Sequence, residues 1–268
     1  MPEGHTIHRH ARQQWAALRG APVAACSPQG RFAEGASRLD GLTLRRIEPY
    51  GKHLFYWWAG GDVLHVHLGL FGKFWDQPTT PAPAPRPSSR LRLAGTTTLF
   101  DLTGPTECSL GSPEDRDRVV ARLGPDPLRT DADPARAIAR WRSSRAAIGK
   151  LLLDQSVVAG VGNVYRAEAL YVNGIHPDRP GSSLSVEESE ALWSTIRTML
   201  RQGVRDGRII TVPRAELPRR TSSNGRAEAR RGETTFVYKR EHCRRCATPV
   251  HRWDMANRWA YACPSCQR

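Results

Sequence analysis

Gln155-Ser-Val-Val-Ala-Gly-Val-Gly-Asn163 is a tight apolar turn carrying two glycines, and the chain on both sides of it has helical period. Upstream, Ala135 to Arg142 and Ala147 to Gln155 read as helices; downstream, Asn163 to Val172 reads as another. A further helix starts at Ser185, where Ser185-x-x-Glu188 forms a capping box. Its apolar residues Leu192, Ile196, Met199 and Leu200 share one face. The turn therefore joins two helices inside a helical block running from about Pro113 to Arg208. The helix behind the glycines exposes unpaired N–H groups and the positive end of its dipole, an arrangement that binds phosphates. Asn163 has the side chain of an N-cap. That role is compatible with an amide that also reaches a nucleic-acid backbone.

Working outward, the pattern before this block is different. Thr6 is positioned to cap a short helix with apolar residues Ile7, Ala11, Trp15 and Leu18, stopping at Gly20. Then come short β-rich runs, His53–Trp58, Asp62–Leu68, Arg90–Leu93 and Thr97–Leu102, punctuated by Gly60-Gly61, Gly72 and Gly95. These predict a sandwich or barrel. Asp76 to Ser89, rich in proline and alanine, reads as an exposed loop. After the helical block, Arg214 to Thr235 is basic, polar and poor in apolar residues, the composition of a mobile loop. The expected architecture is α+β and multidomain: a β-sandwich with flanking helices over 1–115, a helical domain with the basic loop over 116–235, and a small metal-bound hairpin over 236–268.

That last unit carries Cys243-x2-Cys246-x16-Cys263-x2-Cys266. Paired thiolates at this spacing match one tetrahedral structural zinc site, and four thiolates leave no open position for catalysis. The zinc would hold a hairpin that presents Arg258 and Trp259.

Forty Lys+Arg against 26 Asp+Glu give a net charge of +14 over 268 residues. Such an excess points to a polyanionic partner. A membrane is the weaker choice, because no apolar run approaches the ~20 residues of a spanning helix. The N-terminus also lacks a signal-peptide core. Clustered cysteines beside two isolated ones, Cys26 and Cys108, favour a reducing cytoplasm with bound metal over disulfides.

The chain begins Met1-Pro2-Glu3-Gly4. Removal of Met1 leaves Pro2 as a secondary amine beside a carboxylate, able to attack an aldehyde-level carbon and form an iminium. An α-amino group titrates near pH 8, so on the order of a tenth is unprotonated at neutral pH. Lys52, after Tyr50-Gly51, is a solvated charge or, held near Pro2, a tunable proton donor. Leu70-Phe71, between Gly69 and Gly72, is hairpin core or a wedge for a base stack. His65 and His67 alternate on one strand face and are assigned to the sheet rather than to metal. Glu168 reads as a buried carboxylate bonded to backbone or arginine.

These residues together resemble the formamidopyrimidine-DNA glycosylase/endonuclease VIII family. Pro2-Glu3-Gly4 resembles its N-terminal motif, Leu151–Asn163 its helix-two-turn-helix, and Arg258 followed by Cys263-Pro-Ser-Cys266-Gln the end of its zinc finger. Pro-Glu-Gly followed by His-Thr is most similar to the actinobacterial endonuclease VIII branch, which favours oxidised pyrimidines. The resemblance implies a bacterial base-excision enzyme, cytoplasmic and nucleoid-associated, monomeric, with damaged DNA as partner and no small-molecule cofactor. It implies that Pro2 attacks C1′, that Glu3 is the general acid, and that Lys52 assists β-elimination. Arg258 grips phosphate and is linked to δ-elimination. Asn163 and Arg122 contact DNA, Leu70 and Phe71 fill the void left by a flipped base, and Glu168 matches the acidic residue five positions after the asparagine, grouped with the DNA-binding set.

The chain departs from the family at His5 (often Pro), Thr6 (often an acid), Gly69 (polar in some endonuclease VIII enzymes) and Gly149 (often lysine in the formamidopyrimidine branch). These departures bear on lesion preference. Two other readings fit parts of the pattern: a zinc-ribbon binding module without chemistry, which leaves Pro2-Glu3 unexplained, and a lyase restricted to abasic sites, in which Glu3 would be dispensable.

Overall fold

The computed structural model describes residues 2–217 and 233–268. Most of the basic segment expected to be a loop therefore lies outside the described residues. The chain divides into two compact units, Met1–Arg122 and Leu123–Arg268.

The first unit opens with α1 (Gly4–Leu18), then β1 (Pro22–Cys26), α2 (Ala33–Leu39), β2 (Leu42–Tyr50), β3 (His53–Trp58), β4 (Val63–His67), β5 (Lys73–Pro78), β6 (Ser89–Ala94), β7 (Thr98–Thr103), β8 (Glu107–Gly111) and α3 (Pro113–Ala121). Helix α1 begins three residues before the expected first helical position. Glu3 occupies the N-cap place without a side-chain cap bond, so Thr6 is not the cap. The helix ends as expected, with Gly20 beyond it at φ +83°.

The strands pair antiparallel in the order β5-β7-β6-β1-β2-β3-β4-β8. Strand β1 is the join: Pro22 and Val23 pair with β2, whereas Ala24 to Cys26 pair with β6. The four-stranded half β5-β7-β6-β1 and the five-stranded half β1-β2-β3-β4-β8 thus share one strand and one core. Leu54, Tyr56 and Trp58 of β3, Leu64 and Val66 of β4, and Leu91, Leu93 and Leu102 from the other half lie in the same buried cluster as Ile7, Ala11 and Leu18 of α1. Period-2 alternation sends every second side chain inward. Tyr56 is inside with its hydroxyl donating to Gln14 at 2.6 Å.

Asp76 to Pro78 belong to β5 rather than to a loop, paired with Phe100, Leu99 and Thr98. Pro78 is tolerated there because β5 is an edge strand and Pro78 its last residue.

The second unit contains α4 (Pro134–Arg142), α5 (Ile148–Leu151), α6 (Asn163–Val172), α7 (Val186–Asp206), β9 (His251–Asp254) and β10 (Trp259–Ala262). Both arms of the expected capping box on α7 are present, Glu188 N–H to Ser185 Oγ at 3.1 Å and Ser185 N–H to Glu188 Oε2 at 2.9 Å. The helix expected over 147–155 is one turn. Asp154 Oδ1 takes the Ser156 N–H at 2.8 Å and its hydroxyl at 2.7 Å, competing with helical bonding. Two clusters make the core. One joins α4–α7 around Trp141, Tyr165, Leu192 and Ile196. The other joins Ala167 and Tyr171 of α6 to Phe236, Val237, Cys243, Tyr261 and Cys263, so the cysteine hairpin is packed onto α6.

Candidate nucleic-acid interface and active site

The helix–turn–helix is tied by one side chain. Gln155 Nε2 donates to the carbonyls of Leu153 (2.9 Å) and Val161 (3.0 Å), and its Oε1 accepts from Gly160 N–H at 3.0 Å. Gly160 stands at φ +90°, a conformation open to glycine. The N-cap of α6 is Gly162, so Asn163 is the first helical residue and not the cap. Its amide is used elsewhere. Nδ2 donates to the Trp259 carbonyl at 3.1 Å, while Oδ1 accepts from the Arg166 guanidinium. Arg166 donates to the same carbonyl at 2.8 Å and is 1% exposed. Sequence reading missed Arg166; the signal was its place three residues after Asn163, on the same helix face.

Beside Trp259, Arg258 closes a two-residue hairpin. Met255 N–H donates to Arg258 O at 2.8 Å, with Ala256 at φ 56° and Asn257 at φ 57° between them. Two left-handed central residues make a type I′ turn, which matches the twist of the flanking strands. Arg258 is exposed, and its guanidinium has no partner among the described residues. Gly149 explains one departure from the family pattern: a Cβ there would lie 2.8 Å from Met255 Sδ and 3.0 Å from Pro177 O, so this hairpin packs where a lysine would stand.

Glu168 is wholly buried. Its carboxylate accepts from the N–H groups of Phe236 (2.7 Å), Val237 (2.9 Å) and Tyr238 (2.8 Å), and from the Thr211 hydroxyl. Burial pushes its pKa up, against the pull of those donors. Grouping Glu168 with DNA-contacting residues is therefore corrected. It is a sealed acceptor that anchors the approach to the finger, beside the point where Thr211 N–H donates to Thr234 O at 2.8 Å.

The four cysteine Sγ atoms lie within 4.8 Å of one another. Cys246–Cys263 is 3.4 Å, Cys246–Cys266 3.5 Å and Cys243–Cys266 4.0 Å. A tetrahedron with Zn–S bonds of about 2.3 Å has edges of roughly 3.8 Å, so the donor set fits zinc. The Tyr171 hydroxyl lies 3.2 Å from Cys243 Sγ, an outer donor to that thiolate.

In the first unit, Glu3 is fully buried at the head of α1 and Pro2 is half-buried beside it. Lys52 is half-buried in the two-residue turn Gly51-Lys52, where Tyr50 pairs with His53 and Gly51 has φ +57°. Behind Lys52, the outer face of β3 and β4 carries four rings. His53 pairs with His67 and Phe55 with His65 across the strands. His53 Nδ1 and His65 Nε2 are 2.8 Å apart. Burial first, then neighbouring charges including Arg122, hold His53 down to about 3 and His65 to about 4. His67 is likewise lowered by burial and by the charge of Lys52. Arg122, exposed at the end of α3, lines the hollow of about 780 Å³ that this face opens into. The histidines are on one sheet face, as their alternation predicted, and the metal-ligand cluster found among the described residues is the cysteine one.

Leu70 and Phe71 are 46% and 88% exposed, so the hairpin-core reading of this pair is excluded. Gly69, at φ +63°, is required: a Cβ would fall 1.8 Å from Thr106 Oγ1. That contact accounts for glycine where some relatives carry a polar residue.

The formamidopyrimidine-DNA glycosylase N-terminal domain family matches residues 1–104, and the formamidopyrimidine-DNA glycosylase H2TH domain family matches 123–214. Endonuclease 8 1 of Mycobacterium tuberculosis is 46% identical over 276 residues, covering 100% of both chains. The chain belongs to the formamidopyrimidine-DNA glycosylase/endonuclease VIII family. Within the family it is also 33% identical to a probable endonuclease 8 2 of Streptomyces coelicolor, covering 100% of this chain and 94% of the relative. A solved structure of Lactococcus lactis formamidopyrimidine-DNA glycosylase, non-covalently bound to DNA containing an abasic site, shares the fold with a TM-score of 0.78 at 22% identity, over 99% of each chain.

Proposed function

We propose that the chain is a bifunctional DNA glycosylase and abasic-site lyase that excises oxidised bases, pyrimidines by preference, and cleaves the strand by β,δ-elimination. Family membership makes it a DNA glycosylase of base excision repair. The observation that carries the finer reading is Glu3, sealed from water directly behind Pro2. A buried carboxyl is suited to deliver a proton to a departing group.

Once Met1 is removed, the Pro2 nitrogen bonds to C1′ and the glycosidic bond breaks, with Glu3 supplying the proton that opens the sugar. The resulting iminium accepts the electron pair released when the C2′ proton is taken, and the C3′–O bond breaks. A second elimination breaks the C5′–O bond, and water then releases Pro2. Lys52 moves protons in these steps. Asn163, Arg122 and Arg258 hold phosphates, and Leu70-Phe71 occupies the space of the extruded nucleotide. Cys243, Cys246, Cys263 and Cys266 would hold a zinc ion whose work is structural, fixing the hairpin that carries Arg258. Among the described residues, no helix is long and apolar enough to cross a membrane.

Borohydride trapping tests the reading. Wild-type protein and Pro2→Ala are incubated with a duplex carrying one abasic site and with one carrying an oxidised pyrimidine. A covalent band on both duplexes with wild type, and on neither with Pro2→Ala, is expected. Trapping that survives Pro2→Ala would overturn the iminium mechanism, and trapping on the abasic duplex alone would remove the glycosylase step.

A further inference from the structure

Trp259 presents 51% of its surface to solvent, while its backbone is bonded on two sides. Its carbonyl takes the two donors from Asn163 and Arg166, and it pairs with Asp254 across the ladder. Alternation sets Trp259 and Tyr261 on one face of β10; Tyr261 is itself buried, which leaves Trp259 as the ring of that face exposed to solvent. On that face the Arg252 guanidinium lies 5.0 Å from the Trp259 ring centroid. Tyr261 is braced edge-on by Tyr238, with ring centroids 5.2 Å apart. The face opens into a hollow of about 770 Å³ whose walls include Lys239, Glu241, Val250, Arg252, Trp259 and Tyr261.

A surface arginine over an exposed indole can be a local staple that contributes little. A staple needs no cavity, however, and has no reason to be rimmed by cations. Here the exposed Trp259 ring lines a hollow together with Lys239, Arg240, Arg252 and a single acid, Glu241. That is the combination by which single-stranded nucleic acid is bound: a ring on which any base stacks, and cations that track the backbone.

We propose that Trp259, Arg252 and Lys239 form a stacking site for an unpaired DNA base, separate from the Pro2 chemistry, that gives the finger its own affinity for single strands. The inference rests on the reading of the chain as a DNA enzyme and adds a substrate form to it.

The test compares binding of a fluorescent 12-residue oligothymidylate and of an undamaged duplex of equal length. The proteins are wild type, Trp259→Ala, Trp259→Phe and Arg252→Ala, all loaded with zinc. Trp259→Ala should lose about 10- to 100-fold on oligothymidylate, against less than about threefold on the duplex. Trp259→Phe, which keeps a ring, should restore most of it. Arg252→Ala should reduce the salt slope on the single strand by about 0.7. Equal losses on the two DNAs, or undiminished oligothymidylate binding by Trp259→Ala, would overturn the proposal. Wild-type trapping on the abasic duplex separates the two readings. If trapping fails while Trp259-dependent binding holds, the enzyme reading falls and the stacking site stands.

Discussion

Asn163 and Trp259 stand 96 positions apart, yet one amide joins them at 3.1 Å. The bond fixes the finger hairpin to the first turn of α6, next to the residue that precedes Trp259. The N-terminal turn of α6 and the exposed Arg258 guanidinium are thereby referenced to a single side chain. A phosphate held by both, as proposed above, would be held in one geometry.

Asn163→Asp keeps the acceptor for Arg166 and removes the donor to Trp259, placing a carboxylate against a carbonyl. The protein should fold, with stability reduced by about 1–2 kcal/mol. Affinity for an abasic-site duplex should fall at least about tenfold. Denaturant titration and a binding isotherm check this, and native-like affinity in the variant would remove Asn163 from the interface.

Glu168→Gln turns one of two acceptor oxygens into a donor facing backbone N–H groups. The buried groups left unpaired should cost about 2–4 kcal/mol. Thermal unfolding measures it. A loss under about 1 kcal/mol would mean that the four donors are satisfied in another way.

His53 and His65 share a single N–H between facing ring nitrogens, so the pair is stable when neutral. The folded values, about 3 and about 4, lie below the unfolded value near 6.5. Their contribution to stability is therefore complete above about pH 6.5 and is lost as the pH falls from there towards 4. Each proton taken up on unfolding tilts stability by about 1.4 kcal/mol per pH unit. His53→Phe should flatten the fall in Tm between pH 6.5 and 4; an unchanged slope would refute the assignment.

Phe71→Ala removes a ring already in water, so Tm should shift by less than about 1 °C. Excision of a paired damaged base should slow by about tenfold or more, and strand cleavage at an abasic site by less, because less stacking must be opened there. Single-turnover rates on the two substrates distinguish this from a passive loop.

Zinc content should be about one ion per chain, and Cys263→Ser should lower it sharply. Metal loss should also cost duplex affinity, because the hairpin with Arg258 shares its core with α6. Retained affinity in the metal-free protein would separate finger from function.

Elements with strong local signals were legible in the sequence: β3 and α6 at their observed bounds, the α7 capping box and the cysteine spacing. Strand β2 was not. It has one fully buried residue, Leu44, and a register shift between Leu44 and Arg46 that breaks period-2 alternation. The acceptor role of Glu168 was legible only as a class, because its partners lie 43 to 70 positions away. Long-range pairing of that kind leaves no periodic trace. For Arg166 the only local trace was its place three residues after Asn163, its carbonyl partner being 93 positions distant.

The clasp between Thr211 and Thr234 brings two distant points of the chain to hydrogen-bonding distance, and Glu168 secures both sides of it. The clasp closes the interval between them into a loop whose described flanks are held to their surroundings, Arg214 by Asp206 at 2.6 Å and the Glu216 carbonyl by Arg244. Doubling its length would cost only about 0.6 kcal/mol of closure entropy. Insertions between the two threonines should therefore leave the closure at Thr211 and Thr234 intact at small entropic cost.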